Sequence, residues 1–247
     1  MVDPSFAARL HGAAFPPAPM RDWALFLDLD GTLLDIAPTP DAVTVPSDLV
    51  KDLTLVSKML GGALAIVSGR SLNDIDRLLA PLHLSAGGEH GGVVRLPNGF
   101  CDEVALTVPE DWMIALHDLA TTCPGVLTET KRHNVVAHYR NAPSHEDEVR
   151  RIVNGLVASD PMHFELLEAK MAIEIRPRNV TKARAVHALM DVAPFVGRIP
   201  VFVGDDLTDE DGFAAALEHG GIALDVAVAF AGRPSHVRDW LKRFTDL

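Results

Sequence analysis

Residues 24–34 read ALFLDLDGTLL, an apolar run that stops abruptly at two aspartates. A run this short and this apolar, rich in Leu and Phe and closed by Gly31 and Thr32, predicts a strand buried on both faces of a parallel sheet. In open parallel sheets, ligands bind in the crevice beyond the carboxyl ends of the strands. Asp28 and Asp30 stand at that end. Period-two alternation predicts that both carboxylates lie on one side of the strand, with Leu29 pointing away. Two such groups repel, so the pair calls for a cation. An Asp-Gly pair after a strand is also ordinary turn chemistry, and alone it would mean no more than a turn.

The construction recurs along the chain. Residues 63–67 form a second short apolar run that ends in Ser68, Gly69 and Arg70, and residues 199–203 form a third that ends in Gly204, Asp205 and Asp206. Three such strands in one parallel sheet would bring their polar ends to one edge. Between the first two, Leu49, Leu53, Val56 and Leu60 make a helical stripe, and Ser71 with Asp74 three positions later predicts a capped helix through Leu79. Strand, helix, strand, helix is the pattern of a right-handed parallel α/β unit.

The middle of the chain departs from this pattern. A helical stretch near residues 111–122 is followed by strand-like LTETKRHNVVAHYR, and a second near 146–158 by strand-like HFELLEAKMAIEIRP. This predicts an inserted α+β unit at 107–177, flanked by one α/β core built from 22–106 and 178–247. Residues 1–21, with Pro4, Pro16, Pro17 and Pro19, read as an irregular extension. An insert of this size predicts a cap that closes over the sheet edge, excludes water and adds substrate contacts. Its strand-like stretches carry Glu129, Lys131, Arg132, His138, Arg140, Glu174 and Arg176. One polar face is normal in an antiparallel sheet, so each of these alone reads as a solvated residue.

Composition limits the partners. With 22 basic against 34 acidic residues and a net charge of −12, the chain lacks the basic surface that nucleic acid or an anionic membrane requires. No apolar run reaches membrane-spanning length, and the first twenty residues lack the basic start and apolar core of a signal peptide. Cys101 and Cys123 have neither metal-ligand nor redox spacing and read as reduced thiols, which predicts a cytoplasmic protein. Hydrophobic residues make up 48% of 247, enough to supply a core.

The Asp28-x-Asp30 pair, VSGR at 67–70, GGEHGG at 87–92, HYR at 138–140, EIRP at 174–177, Lys182 and GDDLTDED at 204–211 occur in one order. In this the chain resembles the haloacid dehalogenase (HAD) superfamily of phosphohydrolases, and within it the trehalose-phosphate phosphatases. The resemblance runs from about Leu25 to the last helix. It implies a Rossmann-like core with a parallel sheet and a smaller α/β cap of the IIB type. It further implies Asp28 as a nucleophile that forms an aspartyl-phosphate, and Asp30 as the acid that protonates the leaving sugar oxygen and then the base that activates water. Ser68 would donate to the transferring phosphoryl group and Lys182 would supply positive charge.

The chemistry is consistent with those residue types. A phosphate ester dianion repels a carboxylate nucleophile unless its charge is neutralised, and Mg2+ suits a site made of oxygen ligands. The implied ligands are Asp28, the backbone carbonyl of Asp30 and Asp205, with Asp209 or Asp206 assisting from the outer shell. The implied substrate contacts are Ser68, Gly69, Arg70, Glu89, His90, Glu129, Lys131, Arg140 and Glu174. The expected reaction is hydrolysis of trehalose 6-phosphate by a monomer. Alternatives are a related capped phosphatase for sucrose phosphate or a glucosylglycerate phosphate, or a catalytically silent sugar-phosphate sensor, which would have no reason to keep every catalytic group.

Each element also has a plainer reading. Ser68-Gly69 fits a strand-to-helix turn, Lys182 a surface lysine at a helix start, and GGEHGG a flexible loop. Thr208 followed by Asp209, Glu210 and Asp211 fits an N-cap with an acidic first turn.

Overall fold

The computed structural model describes residues 16–37, 42–169 and 171–246. Residues 1–15 of the expected irregular extension lie outside the described residues, and residues 16–20 have no regular structure. The chain divides into two units, Met1–Glu103 with Thr181–Leu247, and Val104–Val180.

In the first unit, β1 (Trp23–Leu27), α1 (Leu49–Met59), β2 (Leu64–Val67), α2 (Leu72–Leu79), β3 (Ser85–Gly88), β4 (Val93–Arg95) and β5 (Cys101–Glu103) follow one another. The second unit contains α3 (Glu110–Thr122), β6 (Leu127–Thr130), β7 (Val135–His138), α4 (Glu146–Ser159), β8 (Phe164–Ala169) and β9 (Ala172–Pro177). The chain then returns to the first unit through α5 (Lys182–Met190), β10 (Ile199–Gly204), α6 (Glu210–Glu218) and β11 (Ile222–Asp225), and a last helix covers Pro234–Lys242.

The first unit is built on a seven-stranded sheet of order β11-β10-β1-β2-β3-β4-β5. β1 lies inside it, pairs in parallel with β10 and β2, and is buried at every residue, as its unbroken apolar run predicts. β2 and β3 are parallel, as are β10 and β11. The parallel strands therefore all end at one edge. Leu49, Leu53 and Val56 are the buried face of α1. The Ser71 hydroxyl accepts the Asp74 N–H at 3.2 Å and donates to Asp74 Oδ2 at 2.8 Å, which caps α2 as expected.

The sheet continues past β3 in a way the apolar pattern does not announce. β4 and β5 run antiparallel, joined through the turn at Pro97, Asn98 and Gly99. Each is three residues long, too short for a periodicity to register. Arg95 anchors this extension, with both terminal nitrogens at 2.7 Å from the Asp76 carboxylate on α2 and Nε donating to the Leu84 carbonyl at 2.9 Å.

The second unit has a four-stranded antiparallel sheet of order β6-β7-β9-β8. Ile173 and Ile175 join a core with Trp112, Leu116, Leu119, Val149, Val153 and Phe164 from the helices and β8. Burying such an aliphatic side chain contributes about 1.5–3 kcal/mol. Alternation along β9 places Glu174 and Arg176 on the opposite face, where both are nevertheless buried. Cys101 is exposed and Cys123 buried, both as free thiols. Among the described residues no helix is long and apolar enough to cross a membrane.

Candidate active site

The regular strand β1 stops at Leu27, but the Asp28 N–H still donates to the Val203 carbonyl at 2.9 Å, so Asp28 is fixed to the end of β10 as well as to β1. Its carboxylate meets Lys182, the first residue of α5. Lys182 Nζ donates to Asp28 Oδ1 at 2.7 Å and to Asp209 Oδ1 at 2.5 Å. Lys182 is 2% exposed, so its reading as a surface lysine is overturned. Lys182 thus brings the first turn of α5 to the end of β1.

Asp205 and Asp209 come from the loop after β10. Asp205 Oδ1 accepts the Thr32 hydroxyl at 3.0 Å, and Asp209 Oδ2 accepts the N–H groups of Asp205 at 2.9 Å and Asp206 at 3.1 Å. Two glycines make room for these carboxylates. Gly31 has φ +85°, and a Cβ there would sit 2.1 Å from Asp205 Oδ2; at Gly204 a Cβ would sit 2.3 Å from Asp209 Cγ. Asp206 turns the other way and caps the following turn, its Oδ1 accepting the Thr208 N–H at 2.7 Å. The capping residue is thus Asp206 and not Thr208, while the predicted acidic first turn is present in Glu210 and Asp211.

One carboxylate oxygen from each of Asp28, Asp205 and Asp209 lies within 4.8 Å of the others. Three carboxylates share one ammonium, which leaves the cluster with excess negative charge when all are ionised. Burial first, then the neighbouring acids, raises Asp28 well above the usual carboxylate range even though Lys182 opposes this. Burial likewise raises Asp209, and it raises Asp205 to about 6 with help from Asp209. Burial alone would depress Lys182, but Asp28 and Asp209 reverse that and push it up. An all-oxygen donor set with a charge deficit fits a hard divalent cation. Asp209 has both oxygens committed to protein donors, so its place is behind Asp28 and Asp205.

Asp30 is held apart from this cluster. Past the end of the regular strand each carboxylate takes its own partner, Lys182 for Asp28 and Arg70 for Asp30. Arg70 Nε donates to Asp30 Oδ2 at 2.6 Å and Nη2 to Oδ1 at 2.7 Å, a two-point fork. Arg70 is thereby placed next to a catalytic candidate. The Ser68 N–H continues the β2–β3 ladder to the Gly87 carbonyl at 2.8 Å, and its hydroxyl accepts the Arg70 N–H at 3.2 Å.

GGEHGG is ordered by the loop it faces. Gly87 and Gly88 end β3, the Glu89 N–H donates to the Arg70 carbonyl at 2.8 Å and the His90 N–H to the Ser68 carbonyl at 3.0 Å. Glu89 and His90 have φ of 50° and 55°, a left-handed pair that non-glycine residues adopt only when their surroundings over-determine it. A Cβ at Gly69 would meet His90 Nε2 at 2.5 Å, so the ring lies directly over Gly69. The SGR and GGEHGG strings therefore form one surface.

In the second unit, Glu129 on β6 and Glu174 on β9 flank Val136 of β7. Glu129 Oε2 lies 3.3 Å from His138 Nε2 and Oε1 4.0 Å from Lys131 Nζ. Donation from His138 holds Glu129 below the usual range despite partial burial. Glu174 is raised instead, because burial outweighs Lys131, Asn134 and Arg176. Arg140 lies two residues beyond β7 and is exposed. Sequence reasoning missed Asn134, a 1% exposed side chain whose Nδ2 donates to Glu174 Oε1. A lone Asn in a turn between two strands carries no signal of such a role.

The model of the Trehalose-phosphatase family matches residues 26–238. The chain is 38% identical, over 90% of its length and 86% of the other's, to trehalose-6-phosphate phosphatase of Escherichia coli K12. It is 41% identical to a probable trehalose-phosphate phosphatase of Sinorhizobium fredii, covering 84% of this chain and 78% of that one. The solved C-terminal domain of Candida albicans trehalose-6-phosphate phosphatase superimposes with a TM-score of 0.71 at 20% identity, covering 91% of this chain and 92% of that one. The fold is that of HAD phosphatases. With a family match that begins in β1, two residues before Asp28, and ends beyond the acidic loop after β10, this chain belongs to the trehalose-phosphatase family.

Proposed function

We propose that the protein is a magnesium-dependent phosphatase that hydrolyses trehalose 6-phosphate to trehalose and inorganic phosphate. The observation that carries this reading is the group of buried Asp28, Lys182 and Asp209 with half-buried Asp205 at the strand ends of a chain in this family.

Lys182 donates to Oδ1 of Asp28, while Oδ2 has no hydrogen-bond donor among the described residues. Oδ2 is the attacking atom. It forms a bond to phosphorus as the bond from phosphorus to the sugar oxygen breaks, giving an aspartyl-phosphate. Asp30 supplies the proton that the departing oxygen needs, then takes one from the water that attacks phosphorus and frees Asp28. Because both oxygens of Asp30 accept from Arg70, that guanidinium sets the carboxylate's direction, and one of its two donors must yield for each proton transfer. The Lys182 charge and the Ser68 hydroxyl face the transferring group, where donors placed in advance are worth most.

The ion would be held by Asp28, Asp205 and the Asp30 carbonyl, with Asp209 fixing Asp205 and Lys182 from behind. When bound, it neutralises charge on phosphate and nucleophile. Glu129, Lys131, Arg140 and Glu174 on the second unit recognise the sugar, and Gly69, Arg70, Glu89 and His90 contribute substrate contacts on the first. A cytoplasmic monomer is the proposed form, supported by the acidic surface charge and two unpaired thiols.

The test is phosphate release across trehalose 6-phosphate, sucrose 6-phosphate, glucosylglycerate phosphate and glucose 6-phosphate with Mg2+ present. The highest kcat/KM is expected for trehalose 6-phosphate. Preference for another member of that panel would reassign the substrate, and no release from any would overturn the enzyme reading.

A further inference from the structure

Asn134 closes the turn between β6 and β7. The Lys131 N–H donates to its backbone carbonyl at 2.9 Å, and its side chain, 1% exposed, reaches across β7 to Glu174 on β9. The neighbouring His133 is fully buried, with Nδ1 donating to the Leu106 carbonyl at 3.2 Å, so the turn is pinned from both sides.

The orientation of the Asn134 amide is decided by chemistry. A carboxylate only accepts, so the amide must present its NH2 group to Glu174, which directs Oδ1 elsewhere. Asn134 Oδ1 is buried and has no hydrogen-bond partner among the described residues. Buried carbonyl oxygens are almost always satisfied, and one left open beside a recognition surface is a place for a ligand's donor. At the other end of the amide is Glu174, an acceptor, on which Lys131, a donor, and Glu129 act electrostatically, Glu129 by repulsion. Those acids disfavour an anionic group. A neutral polyol, whose hydroxyls both donate and accept, satisfies all of them.

We propose that Asn134 is a specificity-determining residue: Nδ2 fixes the Glu174 carboxylate and Oδ1 accepts a hydrogen bond from a sugar hydroxyl. This rests on the assignment of Glu174 and Lys131 to sugar recognition. The site would discriminate by leaving Oδ1 unpaired whenever the hydroxyl is missing.

The experiment compares wild type, Asn134→Ala and Asn134→Asp in kinetics with trehalose 6-phosphate and with p-nitrophenyl phosphate, and in calorimetric binding of trehalose itself. Asn134→Ala is expected to raise KM for trehalose 6-phosphate about fivefold or more, the scale of one hydrogen bond, to weaken trehalose binding in parallel, and to leave p-nitrophenyl phosphate turnover within about twofold. Asn134→Asp, isosteric but placing a second carboxylate against Glu174, is expected to lose more than Asn134→Ala on the sugar substrate alone. It carries the test by itself if the alanine variant does not fold. Combining Asn134→Ala with Glu174→Gln should cost less than the product of the single losses. Unchanged sugar kinetics, or equal losses on both substrates, would overturn the proposal while wild-type hydrolysis of trehalose 6-phosphate keeps the underlying reading. Absence of that wild-type activity removes both.

Discussion

Lys182 and Asp28, separated by 154 residues in sequence, meet through a 2.7 Å hydrogen bond in which both side chains are almost wholly buried. The same ammonium bonds Asp209, so one cation holds together the end of β1, the start of α5 and the loop after β10. Breaking a buried pair from one side strands the other charge and costs about 3–5 kcal/mol. Lys182→Met, similar in length but uncharged, is expected to lower the melting temperature of the metal-free protein. It is also expected to reduce kcat/KM by about 100-fold or more on trehalose 6-phosphate and p-nitrophenyl phosphate alike, since it removes a charge aimed at the phosphoryl group. Near-normal turnover of either ester would remove Lys182 from the chemistry.

The raised acids make metal binding depend on pH. Asp205 titrates near 6 in the folded protein against 3.8 as its ordinary value, so the folded state holds this proton more tightly than the unfolded chain does. That stability is fully present below about pH 4 and is lost as pH rises through about 6. A divalent cation relieves the repulsion that appears once Asp205 ionises. The rise in melting temperature on adding Mg2+ to EDTA-treated protein should therefore be larger at pH 7.5 than at pH 5. Equal rises at both pH values would place the cation away from Asp205.

The choice of ion follows from geometry. EDTA should abolish phosphate release and Mg2+ restore it, while Ca2+, with its larger and less regular shell, should inhibit. Activity that survives exhaustive chelation would contradict a metal at Asp28 and Asp205.

Substitutions on the second unit should separate sugar recognition from phosphate chemistry. Glu129→Ala and Lys131→Ala are expected to lower kcat/KM for trehalose 6-phosphate about tenfold or more, the scale of a charge-assisted hydrogen bond. Hydrolysis of p-nitrophenyl phosphate, which has no disaccharide, should fall far less. Equal effects on both substrates would reduce these residues to structural ones.

β1, β2 and β10 were legible because each is a short apolar run, and their ends could be read from Asp28, Ser68 and Asp205, whereas β3, with the sequence SAGG, has no such run. The helices of the second unit, α3 and α4, lie within a residue of the helical stretches expected near 111–122 and 146–158. β4 and β5 were illegible for want of length. The cluster of Asp28, Lys182 and Asp209 could be inferred only through motif resemblance, because Lys182 stands 154 residues from Asp28 and no local pattern encodes their meeting. The Arg70–Asp30 fork and the Asn134–Glu174 bond lay beyond reach for a related reason. Both depend on side-chain directions past the end of a regular strand, where period-two alternation no longer constrains anything.

The role proposed for Asp28 is attack on phosphorus. Asp28→Asn is nearly isosteric, removes one charge from an overcrowded acidic cluster, and keeps an oxygen for Lys182 to reach. Its melting temperature in EDTA should be close to that of wild type. The decisive measurement is phosphate release from trehalose 6-phosphate with saturating Mg2+, wild type against Asp28→Asn, on samples verified by mass to contain no reverted aspartate. Rapid release by wild type and none above background from the folded variant is expected. Release by Asp28→Asn at a rate comparable to wild type would contradict that role.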